Sequence, residues 1–81
     1  VITALYCGNC GKRCGTATLR SDRDHVDVSA HRRRDSIMVV RRLSEPAGWP
    51  VEFICHECRQ TVRLELEQAQ RAGKTSRLVV R

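Results

Sequence analysis

A small β-rich domain stapled by a metal ion is the fold class predicted for this chain, and three features predict it. Two C-x-x-C pairs, Cys7-Gly8-Asn9-Cys10 and Cys55-His56-Glu57-Cys58, stand 44 residues apart in a chain of 81. The segments around them are short, rich in β-branched residues, and alternate apolar with polar. A chain this short, whose aromatics are only Tyr6, Trp49 and Phe53, buries a modest core and needs a staple.

The cysteine spacing carries the chemistry. A C-x-x-C on a tight turn aims two sulfurs at one point. Two such turns facing each other supply four thiolates in a tetrahedron, the geometry of a structural Zn²⁺ site. Cys7, Cys10, Cys55 and Cys58 are therefore the predicted ligands and Zn²⁺ the predicted cofactor. Gly8 and Gly11 suit the left-handed backbone angles of a metal knuckle. The second pair has His56, Glu57 and Arg59 instead, so its turn is expected to be less ideal. The spacer exceeds the usual 15–20 or so residues between such pairs, which predicts an inserted hairpin at 21–50 of a single domain spanning 1–81.

One cysteine is left over. Cys14 is either an alternative ligand or redox thiol, or a small buried apolar residue, and the high burial of free cysteine favours the second. His25, His31 and His56 are expected to stay out of a shell that four sulfurs already fill. A disulfide framework needs an oxidising compartment, and Val1 to Tyr6 is too short for a signal-peptide core. A thioredoxin-like pair needs a βαβ unit that this pattern lacks. An iron–sulfur cluster on Cys7, Cys10 and Cys14 would leave one of the later cysteines unused.

The elements follow in order. Ile2–Tyr6 reads as a strand into the first knuckle and Thr16–Arg20 as the strand leaving it. His25-Val26-Asp27-Val28-Ser29-Ala30 alternates as a half-buried strand. Ile37–Val40 is an apolar run bounded by charge and predicts a buried strand. Ser44–Pro50 is a loop punctuated by Pro and Gly. Val51–Ile54 predicts a strand into the second knuckle. Thr61 to about Leu66 predicts a strand, followed by a short C-terminal helix to about Ala72 with Gly73 as its cap. Leu78–Val80 reads as a last strand or an ordered tail.

Two knuckles at hairpin tips resemble the zinc-ribbon superfamily. The resemblance rests on Leu5-Tyr6-Cys7-Gly8-Asn9-Cys10-Gly11 and Phe53-Ile54-Cys55-His56-Glu57-Cys58-Arg59. It implies a zinc ribbon of two knuckle hairpins, here with an extended central hairpin between them. It covers the knuckles well and the stretch from about Ser21 to Pro50 poorly. Zinc ribbons occur in transcription factors, RNA polymerase subunits, ribosomal proteins and adaptors, so the resemblance implies a menu of roles.

Charge narrows the menu. The formal net charge is +6. Four bound thiolates and one Zn²⁺ would lower it by two, to about +4. Lysine is confined to Lys12 and Lys74; the other thirteen basic residues are arginine, the preferred phosphate fork. The leading expectation is a non-enzymatic module associated with nucleic acid, DNA or RNA, or with a nucleoprotein machine of transcription or the ribosome. Arg32, Arg33 and Arg34, with Arg41 and Arg42, are the candidate phosphate contacts, set against a bland reading as a solvated charged face. The alternative is a protein-interaction adaptor docking on a large assembly such as RNA polymerase, with Trp49 as anchor or, more simply, as core packing beside Phe53. A rubredoxin-like iron or thiol redox protein is a remote third reading. A metal-holding pair at Asp22 and Asp24, resembling transcript-cleavage ribbons, is fainter still. No run reaches the length of a membrane span, and the chain is expected in the cytoplasm, with no membrane partner.

Overall fold

The computed structural model describes residues 2–32 and 36–81. Strands β1 (Ile2–Cys7), β2 (Arg13–Leu19), β3 (His25–His31) and β4 (Ser36–Arg42) follow one another as an antiparallel meander. A 3₁₀ turn at Pro46–Gly48 leads to β5 (Val51–Ile54) and β6 (Thr61–Leu64), which form a separate two-stranded hairpin. A single-turn helix α1 (Leu66–Ala69) and strand β7 (Arg77–Val80) complete the described elements. The large sheet has the order β4-β3-β2-β1-β7, with β7 parallel to β1. This is a small β-rich domain of seven strands among the described residues.

Period-two patterning explains the layers. In β3, Val26, Val28 and Ala30 point inward and are buried while the intervening residues are half-exposed. Thr3 and Leu5 of β1, Ala17 of β2 and Leu78 and Val80 of β7 line the same inner face. Val62 and Leu64 of β6, Val51 of β5 and Ala69 of α1 cover it from the other side. Thr3 is the one polar residue in this core among the described residues. Its hydroxyl donates to the Thr75 carbonyl (2.7 Å) and accepts from the Gly73 N–H (3.2 Å), which ties the turn after α1 to β1.

Two expectations are revised. The run Ile37–Val40 is an edge strand rather than a buried one, with Ile37, Met38 and Val40 exposed. The helix ends at Ala69, and Gly73 (φ +86°) serves the later turn instead of capping it. Of the two readings of Leu78–Val80, the strand is the one observed, and it adds to β1 in parallel, a pairing that local pattern cannot reveal. The expected strand after the second knuckle is present and stops at Leu64, where Glu65 turns the chain into α1.

At Gly15, β2 and β3 come too close for a side chain to fit. A Cβ there would lie 2.4 Å from the Ser29 carbonyl oxygen on β3. Gly15→Ala should therefore push β2 and β3 apart and destabilise the fold by about 1–3 kcal/mol, read as a lower denaturation midpoint. An unchanged midpoint would show that the β2–β3 ladder is looser than the geometry requires.

Candidate metal centre

Each C-x-x-C pair sits at the tip of a hairpin, and the two tips have the same backbone wiring. In the first, the Cys7 N–H donates to the Lys12 carbonyl (2.9 Å) and the Gly11 N–H to the Cys7 carbonyl (2.8 Å). In the second, the Cys55 N–H donates to the Gln60 carbonyl (2.9 Å) and the Arg59 N–H to the Cys55 carbonyl (2.7 Å). The Asn9 N–H also points at the Cys7 sulfur, 3.4 Å away. The matching position in both knuckles is left-handed: Gly11 at φ +76° and Arg59 at φ +61°. Gly8 does not share that conformation. The second knuckle thus reaches the same geometry without glycine, at a steric cost of about 1–2 kcal/mol that Gly11 avoids.

The tips converge. The Cys7 and Cys58 sulfurs are 3.6 Å apart, and those of Cys10 and Cys55 are 3.7 Å apart. All four lie within 4.8 Å of one another, an arrangement that could hold a metal ion. Both close pairs join one knuckle to the other, and the separations are far beyond a covalent S–S bond of about 2.05 Å. A tetrahedron of metal–thiolate bonds of about 2.3 Å places its sulfurs about 3.8 Å apart, so the donor set fits such an ion. Cys7 and Cys55 are buried, and Cys10 and Cys58 are half-buried. Lys12 and Glu57 bridge the two tips at 3.6 Å, an exposed pair of small energetic weight.

The thiols are electrostatically unequal. At Cys58 the Asn9 side-chain amide and then the Gln60 N–H favour the thiolate and pull it down to about 6. At Cys10 the Lys12 N–H favours the thiolate, but desolvation and the sulfurs of Cys55, Cys7 and Cys58 outweigh it and push the thiol up to about 11. Neighbouring thiolates oppose one another unless a cation neutralises them. Cys14 stands apart from the four. It is fully buried on β2, its thiol reaches the Leu5 carbonyl at 3.5 Å, and burial followed by the nearby sulfurs pushes it up to about 12.

Other polar candidates are engaged elsewhere. His25 bonds Asp22. His31 and His56 approach each other with ring centroids 6.3 Å apart, and neither joins the sulfur cluster. Burial, then Arg13 and His56, hold the His31 pKa down. Asp22 and Asp24 do not converge on one point. Asp22 accepts from the Asp24 and His25 N–H groups, while Asp24 accepts from the Arg42 guanidinium and from Ser44. These bonds hold both carboxyls below their ordinary range.

The arginine candidates are dispersed. Arg33 and Arg34 lie outside the described residues. Arg32 is exposed beyond the His31–Ser36 pair, whereas Arg42 is opposite His25 at the other end of the same hairpin, roughly 20 Å away at about 3.3 Å per residue. Arg42 is paired with Asp24 and Glu45, and Arg41 folds back onto the Val40 carbonyl. Trp49 is half-buried against the core, and its indole N–H donates to the Arg42 carbonyl (3.0 Å).

A basic and aromatic patch that sequence reasoning missed lies on the outer face of the large sheet. A register shift between Leu5 and Tyr6 sets Arg13 opposite Tyr6, and the Arg77 guanidinium lies 4.5 Å from the Tyr6 ring centroid. The signals were split among three strands, one of them joined by the unforeseen β1–β7 pairing. No protein-family model, curated protein or solved structure matches the chain. No helix of the described residues is long and apolar enough to cross a membrane.

Arg59→Gly should relieve the left-handed strain while adding about 0.4–1 kcal/mol of unfolded-chain entropy. The relief of strain exceeds that entropy, so a net gain of up to about 1 kcal/mol is expected, seen as a raised denaturation midpoint of the metal-loaded protein. A loss of stability would mean that the Arg59 side chain contributes packing or charge interactions that outweigh its backbone strain.

Proposed function

We propose that Cys7, Cys10, Cys55 and Cys58 hold one structural Zn²⁺ in a zinc-ribbon-like centre, and that the domain acts by binding rather than catalysis. The single observation that carries this reading is the convergence of four sulfurs from two hairpin tips at tetrahedral spacing. Four thiolates close the coordination shell. A closed shell leaves no position for a substrate or an activated water, so the metal's role is to fix the fold. Borderline-soft Zn²⁺ suits an all-sulfur donor set.

The partner we propose is nucleic acid, free or within a nucleoprotein assembly of transcription or translation. Its support is the positive balance of the chain and the patch of Arg13, Tyr6 and Arg77 on an open sheet face. Arginine would neutralise phosphate, and the tyrosine–arginine stack offers a flat surface to one exposed base. One aromatic cannot read a sequence, so the affinity would be salt-dependent and tolerant of sequence. Single strands are favoured over duplex because a base must be free to stack.

Two measurements test these readings separately. Elemental analysis and native mass spectrometry should find one zinc per chain, with a single spare thiol at Cys14. Cys55→Ser should lose the metal and the dispersed spectrum of the folded chain. A folded, metal-free protein, or one loaded with iron, would overturn the zinc assignment. For the partner, titration of labelled single-stranded DNA and RNA at several salt concentrations is the assay. Arg13→Ala with Arg77→Ala should weaken binding and lower the salt slope by about 0.7 for each phosphate no longer neutralised. Equal affinity in that double variant, together with weaker binding in an Arg32→Ala, Arg33→Ala, Arg34→Ala variant, would move the interface to the β3–β4 turn. Absence of binding at low salt would remove nucleic acid as the partner.

A further inference from the structure

The small sheet has one occupied edge and one open edge. A bond at the second knuckle sets which backbone groups point where. The Cys55 N–H donates to the Gln60 carbonyl. Alternation along the β5–β6 ladder then makes Phe53–Val62 and Val51–Leu64 the hydrogen-bonded pairs. The backbone groups of Glu52 and Ile54 on β5, and of Arg63 on β6, consequently point out of the hairpin. On the β6 side that direction is used: the Arg63 N–H donates to the Arg81 carbonyl (2.8 Å). On the β5 side, the N–H and C=O of Glu52 and of Ile54 have no partner among the described residues.

This edge borders a groove of about 320 Å³. All four residues of β5 line it, although Val51 and Phe53 turn toward the core while Glu52 and Ile54 are exposed. Residues from both faces of a strand share one wall only where its edge forms that wall. The floor is the inner face of β3 and β4, with Ala30, Ile37 and Val39. The cover over the large sheet thus stops at β5 and leaves Ile37 43% exposed. The His31 ring at the end of β3 approaches the His56 ring just beyond β5, so Arg32, which also lines the groove, marks its Ile54 end.

We propose that the groove takes an extended peptide segment of a partner protein, added antiparallel to β5 as a third strand of the small sheet, with apolar side chains at alternate positions and acidic residues at its N-terminal end. Free N–H and C=O groups at every second residue are matched by the backbone of another strand, the mode of strand addition to an open edge. The added residue opposite Phe53 projects, as Phe53 does, toward Ile37 and Val39, so it is apolar. Its neighbours opposite Glu52 and Ile54 face solvent and can be polar. Arg32 at one end, on a chain of net charge +6, selects carboxylates there. In an antiparallel pairing that end receives the residues preceding the apolar ones. The Glu52 carboxylate is turned toward Arg63 of β6 (3.8 Å). The proposal is independent of the nucleic-acid reading, which uses the outer face of the large sheet.

The test is fluorescence anisotropy of the zinc-loaded chain with a labelled peptide of about ten residues that alternates valine with threonine after two N-terminal aspartates. A Kd on the order of 1–100 µM is expected for so small an interface. With the valines over the groove floor, the threonines carry the N–H groups aimed at β5. N-methylation of the threonines should weaken binding about tenfold or more, and N-methylation of the valines should not. Ile37→Asp on the floor and Arg32→Glu at its end should each weaken binding about tenfold. Met38→Lys, on the opposite face of β4, should leave it unchanged. Amide exchange should slow at Glu52 and Ile54 on binding, and not at Phe53, which is already bonded to Val62. The N-methylated peptides carry the test without altering the protein, should Ile37→Asp disturb folding. No binding at about millimolar peptide, equal binding of the two N-methylated peptides, equal binding of a peptide with lysines in place of the aspartates, or a groove filled instead by a second copy of this chain in sedimentation would overturn the proposal. Elemental analysis of the same samples keeps a failure of the metal reading distinct from a failure of this one.

Discussion

Everything in this fold depends on four sulfurs meeting at one point. The β1–β2 tip belongs to the large sheet and the β5–β6 tip to the small one, and each close sulfur pair takes one atom from each. The cluster is thus the junction of the two layers. A core built largely of valine, leucine and alanine supplies limited net stability at this length. A metal bound in such a centre contributes apparent folding free energy of about 10–16 kcal/mol, enough to dominate. The cation would also resolve the conflict among the thiols, since four closely spaced thiolates repel without it.

The knuckles show how strictly the junction is specified. Both use the same two backbone bonds and one left-handed residue, although the residues between the cysteines differ, Gly8-Asn9 in one and His56-Glu57 in the other. The second accepts an arginine in a backbone conformation that favours glycine. That position tolerates strain because the hairpin below and the sulfur cluster above over-determine it. Cys14 illustrates the complementary case. It lies close enough for the cluster sulfurs to raise its pKa, yet it faces the Leu5 carbonyl and stays outside the group of four.

The rest of the molecule divides into a closed side and an open side. The inner face of the sheet is covered by β5, β6 and α1. The outer face is open and carries the Arg13–Tyr6–Arg77 patch, while the β4 edge is capped at its Arg42 end, where the Trp49 indole and the Glu45 N–H bond the Arg42 carbonyl. A sheet with one solvated face is ordinary for antiparallel strands.

Local chemistry made much of this legible in the sequence. The C-x-x-C spacing named the four cysteines that cluster. Alternation in His25–Ala30 and Val62–Leu64 marked half-buried strands, and Leu78–Val80 was visible as a candidate strand. Tertiary structure alone decided the rest. Whether Ile37–Val40 was buried depended on what lay beside it, and an apolar run carries no record of its neighbour. The parallel β1–β7 pairing joins residues more than seventy positions apart, so no window of sequence contains it. The separation of Arg32 from Arg42 followed from the length of one hairpin, and the grouping of Arg13, Tyr6 and Arg77 from a register shift and that distant pairing. Residue type and local period are written along the chain; position in space belongs to contacts between segments, and those are set only when the whole chain packs.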